Sequence, residues 1–109
     1  MSDCLFCKIA ANQIPVKRLD EDDLSLAFAD INPQAPKHLL VIPKAHYATA
    51  ADAPAELLGA LLAKAAALGE RELPNGYRIV INTRDDGGQT VHHLHLHLLG
   101  GRHMGWPPG

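Results

Sequence analysis

Three histidines alternate with leucines in His93-Leu94-His95-Leu96-His97-Leu98, a row whose residue types could do chemistry. Side chains on a strand point to opposite faces with a period of two, so the segment can bury its leucines and line three imidazoles along the other face. A neutral imidazole is a good nucleophile, and its unperturbed pKa of about 6.5 leaves it largely uncharged near neutral pH. Crowding disfavours charging all three rings, so one can attack phosphorus while another stays protonated against a phosphoryl oxygen. A single zinc held by all three fits poorly. The Cα atoms of His93 and His97 lie roughly 13 Å apart on an extended strand, whereas Zn–N bonds are about 2 Å. Two neighbours could share a metal if other elements supplied ligands. Ahead of the row, Gly87-Gly88-Gln89-Thr90 offers backbone N–H groups, an amide and a hydroxyl to a phosphate.

The elements that must position this row can be read from periodicity and breakers. Asp3 can cap a short helix over Cys4 to Ala10, ended by Asn12 and Pro15. Val16 to Leu19 reads as a brief strand, Asp20 to Asp23 as an acidic turn, and Leu24 to Ala29 as a second strand. Asp30 to Pro36, with two prolines and Asn32, is a loop, and His38 to Pro43 is an apolar run suited to a buried central strand. Asp52 as N-cap, Pro54 in the first turn and Glu56 near the positive end announce the long helix. Its stripe is Leu57, Leu58, Leu61, Leu62, Ala65 and Leu68, and it ends near Glu70 to Glu72. Tyr77 to Asn82 is a fourth strand, Thr83 to Gly88 a turn, and the histidine row the fifth strand. Five short strands with one long and one short helix predict an α+β fold, its antiparallel sheet covered by the long helix on one face.

Bulk properties exclude several functions. The chain has 109 residues, enough for one domain over 1–109 with a small core, and a formal net charge of −2 without a run of Lys or Arg. Nucleic-acid coating, which wants a basic face, is not expected. The apolar segment around Leu57 to Leu68 is too short and too interrupted by Gly59 and Lys64 to span a membrane. Met1 to Cys4 has neither a basic n-region nor an apolar h-region, and Cys4 and Cys7 read as reduced thiols, so the expected compartment is the cytoplasm.

With its surroundings, the row resembles the signature His-φ-His-φ-His-φ-φ (φ apolar) of the histidine triad (HIT) proteins, which His93 to Leu99 matches. Asp30 to Pro36, His38 with Val41-Ile42-Pro43-Lys44, Gly87 to Val91, and Trp106-Pro107-Pro108-Gly109 are similar to the Hint branch. The resemblance runs from Cys4 to Gly109. It implies a hydrolase of purine nucleoside 5′-phosphoramidates, such as AMP–amine conjugates, working through a nucleotidyl-histidine intermediate without a catalytic cofactor. His95 matches the nucleophile. The backbone carbonyl of His93 would orient it, His97 would contact the phosphate and help the leaving group, and Thr90 would supply a hydroxyl that relatives usually take from serine. His38 would support the row by hydrogen bonding.

The same resemblance places Asn82, Gly88 and Gln89 at the phosphate and Asp30 at the ribose hydroxyls, where a carboxylate can accept from both. Leu5, Phe6, Ile14 and Ile31 match the apolar wall around the base. His92 and His103 match no catalytic position. Relatives usually form a homodimer by pairing sheets and long helices, with the tail 102–109 and its Trp106 reaching toward the partner's site. Some hold a structural zinc at positions matching Cys4, Cys7, His46 and His93. Two other functions stay open: dinucleoside polyphosphate hydrolysis, against which the Trp-Pro-Pro-Gly tail weighs, and a nucleotide-binding regulatory module with little turnover.

Overall fold

A computed structural model describes residues 3–109, and the amino-terminal Met1 and Ser2 of the sequence reading lie outside it. The short helix α1 spans Leu5–Ala10 and the long helix α2 spans Ala55–Glu72. The strands are β1 (Asp20–Glu21), β2 (Ser25–Ala29), β3 (Lys37–Pro43), β4 (Tyr77–Val80) and β5 (Leu96–Gly100). They form one antiparallel sheet in the order β1-β2-β3-β5-β4, so the apolar run ending at Pro43 is central and the histidine strand pairs on both edges.

Period-two alternation gives the sheet two apolar faces. Ala27, Leu39, Val41, Leu96 and Leu98 point to one side, where Leu61, Ala65 and Leu68 of α2 close over them. Leu26, Phe28, Leu40 and Ile42 point to the other, where Phe6 and Ile9 of α1 pack. The sheet is therefore covered on both faces, and the second, thinner layer holds the candidate site.

Several local expectations are corrected. Val16 to Leu19 is not a strand. Pairing begins with Leu19 N–H donating to Ala27 O at 2.8 Å, and the ladder takes only Asp20 and Glu21. The turn is thereby pushed to Asp22 and Asp23, where Asp22 Oδ1 accepts from the amides of Leu24 and Ser25. Cys4, not Asp3, is the N-cap of α1, its sulfur accepting from Cys7 N–H. Asp52 does not cap α2. It forms a capping box with Thr49 around the 3₁₀ turn Ala50–Asp52, while Pro54 occupies the N-cap of α2 without a side-chain bond. On the α2 stripe, Leu62 is 49% exposed, whereas Leu61, one residue earlier, is fully buried. The fourth strand stops at Val80, two residues before Asn82.

The histidine strand also starts late. Regular pairing begins at Leu96, because Leu94 N–H donates to Tyr47 O and the carbonyl of His93 accepts from the His95 ring. Backbone groups that would have extended the ladder hold the site instead.

Candidate functional site

His95 and His97 point to the thin side of the sheet, into a cleft of about 440 Å³. Its floor is β3 and β5, its far wall α1 and the stretch 14–16, and its rim the 30–34 loop. Leu5, Phe6, Ile14, Asp30, Ile31, His38, Thr90, His95 and His97, nine of the residues singled out from sequence, line this one space. Ile31 is 96% exposed, which marks it as a wall left open and not as core. Ile9, Val16 and Phe28 also line the cleft, and sequence reasoning gave them no site role.

The register of β3 on β5 brings the rings together. His38 pairs with Leu99 and Leu40 with His97, so His38 and His97 are diagonal neighbours on one face. Their atoms identify which nitrogen carries each proton. Gln34 N–H donates to His38 Nδ1 at 3.0 Å, so that nitrogen is bare and His38 Nε2 carries the hydrogen. That N–H points to His97 Nδ1 at 2.9 Å, which leaves the His97 proton on Nε2. His97 Nε2 is buried, and among the described residues it has no hydrogen-bond partner. An N–H beside the cleft is thus left with no acceptor among the described residues.

His95 is oriented from the other end. Its Nδ1 lies 2.7 Å from the carbonyl of His93, and since a carbonyl only accepts, Nδ1 carries the proton and Nε2 is an unshared pair. The edge of the Phe6 ring braces His95 with centroids 5.0 Å apart, and His97 stacks edgewise on its other side at 4.9 Å. The residues that carry a bare nitrogen and an unused N–H therefore line the same cleft.

Burial sets the charges. Desolvation pushes the His97 pKa down to about 4, helped by repulsion from His95 and His38 and opposed by Asp30. Desolvation also lowers His38, against the nearby Asp30 carboxylate, whose Oδ2 is 3.5 Å from His38 Nε2. Burial therefore favours His97 as a neutral N–H donor, whereas the sequence reading expected one ring of the row to stay protonated. The other oxygen of Asp30 accepts from Asn32 N–H and tightens the rim loop.

Three residues expected at the phosphate lie elsewhere. Gln89 is buried outside the cleft, with Nε2 donating to the carbonyls of Ala48 and Val91 and Oε1 accepting from Arg84 N–H. Its amide holds the turn before Thr90. Asn82 and Gly88 do not line the cleft either. Trp106 is 82% exposed beside β4, where Arg78 donates to Gly105 O at 2.8 Å and lies 6.0 Å from the indole ring. Gln34, by contrast, is a site residue that sequence could not reveal, because it acts through its backbone amide.

A second cluster adjoins the cleft. Cys4, Cys7, His46 and His93 direct one sulfur or nitrogen each toward a common point. The separations are 3.3 Å from Cys4 Sγ and 3.5 Å from Cys7 Sγ to His93 Nδ1, 3.2 Å from Cys7 Sγ to His46 Nδ1, and 3.1 Å between the two nitrogens. A tetrahedral zinc with Zn–S of about 2.3 Å and Zn–N of about 2.0 Å has edges of roughly 3.3 to 3.8 Å, so the donor set fits that ion. His93 Nε2 donates to Pro43 O at 2.9 Å, which keeps Nδ1 bare for a metal. The triad does not converge on one point: His93 joins this cluster and His97 faces His38 and Asp30.

Comparison with known proteins agrees with this arrangement. The HIT domain family model matches residues 11–104. The chain belongs to the HIT domain family. An uncharacterized HIT-like protein of Synechococcus elongatus is 55% identical over 98% of this chain and 97% of its own length. A 14 kDa zinc-binding protein of Zea mays is 48% identical, covering 99% of this chain and 89% of its own. The crystal structure of a HIT family hydrolase from Legionella pneumophila superposes with a TM-score of 0.93 at 54% identity, covering 98% of this chain and all 100% of that one. The five-stranded sheet with two helices is thus the HIT fold. Among the described residues, no helix of this HIT protein is long and apolar enough to cross a membrane.

Proposed function

We propose that the chain is a hydrolase of purine nucleoside 5′-phosphoramidates, belonging to the Hint branch and using His95 as nucleophile. The observation that carries this is the His95 ring, whose Nδ1 proton is held by the His93 carbonyl so that Nε2 is a bare nucleophile beside the partnerless N–H of His97. The base lies against Leu5, Phe6, Ile14 and Ile31, the ribose hydroxyls reach Asp30, and Thr90 contacts the phosphate at the cleft edge. His95 Nε2 bonds to the α-phosphorus as the phosphorus–amine bond breaks, and the departing amine takes a proton from water. His97 Nε2–H donates to the phosphate as charge develops. Water then displaces the imidazole, giving the nucleoside monophosphate and free His95. The HIT family hydrolase name carried by the Legionella structure supports the reaction class.

The Cys4, Cys7, His46 and His93 cluster holds a structural zinc in this reading, supported by its donor geometry and by the name of the maize relative. Zinc there ties α1 to the sheet, and catalysis itself uses no cofactor. The chain works as a cytoplasmic homodimer, with the exposed Leu62 of α2 at the interface and the 102–109 tail directed toward the partner. Turnover of adenosine 5′-phosphoramidate tests the reading. His95→Ala should abolish it while the protein stays folded and still binds AMP. An unchanged rate would refute the nucleophile, and AMP binding by a parent that never turns over would favour a regulatory module.

A further inference from the structure

We propose that Arg18 is a positioning residue for the base-side wall of the cleft, acting through the carboxyl end of α1. The inference rests on the reading of the cleft as a nucleotide site. Helix α1 has only six residues, yet three of them, Leu5, Phe6 and Ile9, line the cleft, followed by Ile14 to Val16 after a turn. So short a helix has no stability of its own and must be fastened. At its amino end the thiols of Cys4 and Cys7 meet His93 and His46. At its carboxyl end stands one guanidinium.

Arg18 Nη2 donates to Ile9 O at 2.7 Å and to Asn12 Oδ1 at 2.8 Å, with a longer contact of 3.4 Å to Ala10 O. The Ile9 and Ala10 oxygens are helix-end carbonyls that have few intrahelical partners, and the Asn12 oxygen belongs to the side chain at the bend. Its Nη1 donates to Glu21 Oε2 at 2.7 Å, and the same carboxylate oxygen pairs with Lys44 at 2.7 Å just past β3. Asn12 holds a left-handed backbone at φ 62°, which sends the chain from α1 back toward Ile14. The Arg18 side chain is only 16% exposed, and its planar fork joins this bend to the sheet edge. A surface ion pair with Glu21 would need none of the backbone contacts. The geometry makes Arg18 the link that keeps Phe6 and Ile9 on one side of the bend, and Ile14 on the other, facing the same base.

Arg18→Met keeps much of the aliphatic stem and removes every donor; Arg18→Lys keeps the charge and one donor group; Asn12→Gly keeps the bend and loses one acceptor. In Arg18→Met, KM for adenosine 5′-phosphoramidate and the Kd for AMP by calorimetry should rise about tenfold, with kcat within about twofold. Amide hydrogen exchange over residues 5–14 should accelerate. Arg18→Lys should recover part of each effect, and Asn12→Gly should show a smaller change of the same kind. Should Arg18→Met fail to fold, Arg18→Lys and Asn12→Gly carry the same readouts. Unchanged KM and Kd in variants of a binding parent overturn the assignment, as does a fall in kcat at constant KM. A parent that binds no AMP overturns the functional reading itself, and the nucleotide assignment with it.

Discussion

His38 Nε2 lies 2.9 Å from His97 Nδ1, and through that contact a backbone amide three elements away from the row sets the proton on the reactive side of His97. The relay runs from Gln34 N–H to His38 and from His38 to His97, whose Nε2–H is left over beside the cleft. In both contacts a donor meets a bare nitrogen, so no ring in the relay needs to be charged.

Removing the middle of that relay should blunt the site without emptying it. His38→Ala leaves His97 free to hold its proton on either nitrogen, and kcat for adenosine 5′-phosphoramidate should fall about ten- to a hundredfold. Nitrogen chemical shifts of His97 should change from one tautomer to a mixture. A single unchanged tautomer would show that another group sets it.

Stability should fall as pH drops from about 6.5 toward about 4. His97 has its folded pKa lowered to about 4, and His38 is lowered as well, so the unfolded chain binds more protons across that window. Protonation therefore pulls toward the unfolded state, and the loss is complete only below the folded value. Thermal unfolding at pH 7.5, 6.5 and 5.5 measures it, and His97→Gln should flatten the slope. A parent whose melting temperature is constant over that range contradicts the sign.

The thiol cluster should carry about one zinc per chain after purification without chelator. Cys4→Ser should lose it and melt at a lower temperature, because metal binding contributes folding free energy while serine still caps α1. Elemental analysis beside a melting curve reads both. A metal-free parent removes the zinc reading and leaves two thiols, the Cys7 thiol pushed up by burial and by its hydrogen bond with the Cys4 thiol.

Adjacent leucines on α2 should behave differently. Leu61 is fully buried against the sheet, and Leu61→Ala should cost about 2 to 5 kcal/mol in denaturant unfolding. Leu62→Glu should cost under about 1 kcal/mol in the isolated subunit. The same substitution should convert the proposed dimer to a monomer in sedimentation. A dimer that survives it places the interface elsewhere.

Periodicity carried the element types far. The α2 helix, the β3 strand and the fifth strand from Leu96 onward appear as expected, because burial on one face writes itself into spacing. Leu62 is exposed, however, and the first half of the histidine row leaves the ladder. Caps were less legible: Asp3 and Asp52 have the right chemistry, but Cys4 and the Thr49 to Asp52 box took the positions. Contacts distant in sequence explain the rest. Cys4 and His93 are 89 residues apart, and only the family resemblance joined them. Gln89 looked like a phosphate ligand by type, yet three hydrogen bonds turn it inward. Nothing about the side chains of Gln34 or Arg18 advertised that one would set a tautomer and the other fasten a wall.

The pairing of β3 with β5 has a consequence for how the molecule proves itself assembled. Slipping one strand by a single residue would send His38 or His97 through the sheet to the opposite face. Only one alignment of these two strands, whose residues are about sixty positions apart along the chain, lets the two rings touch. The imidazole pair is therefore a built-in gauge of correct zippering: a chain that has mispaired its centre cannot be active, however compact it has become.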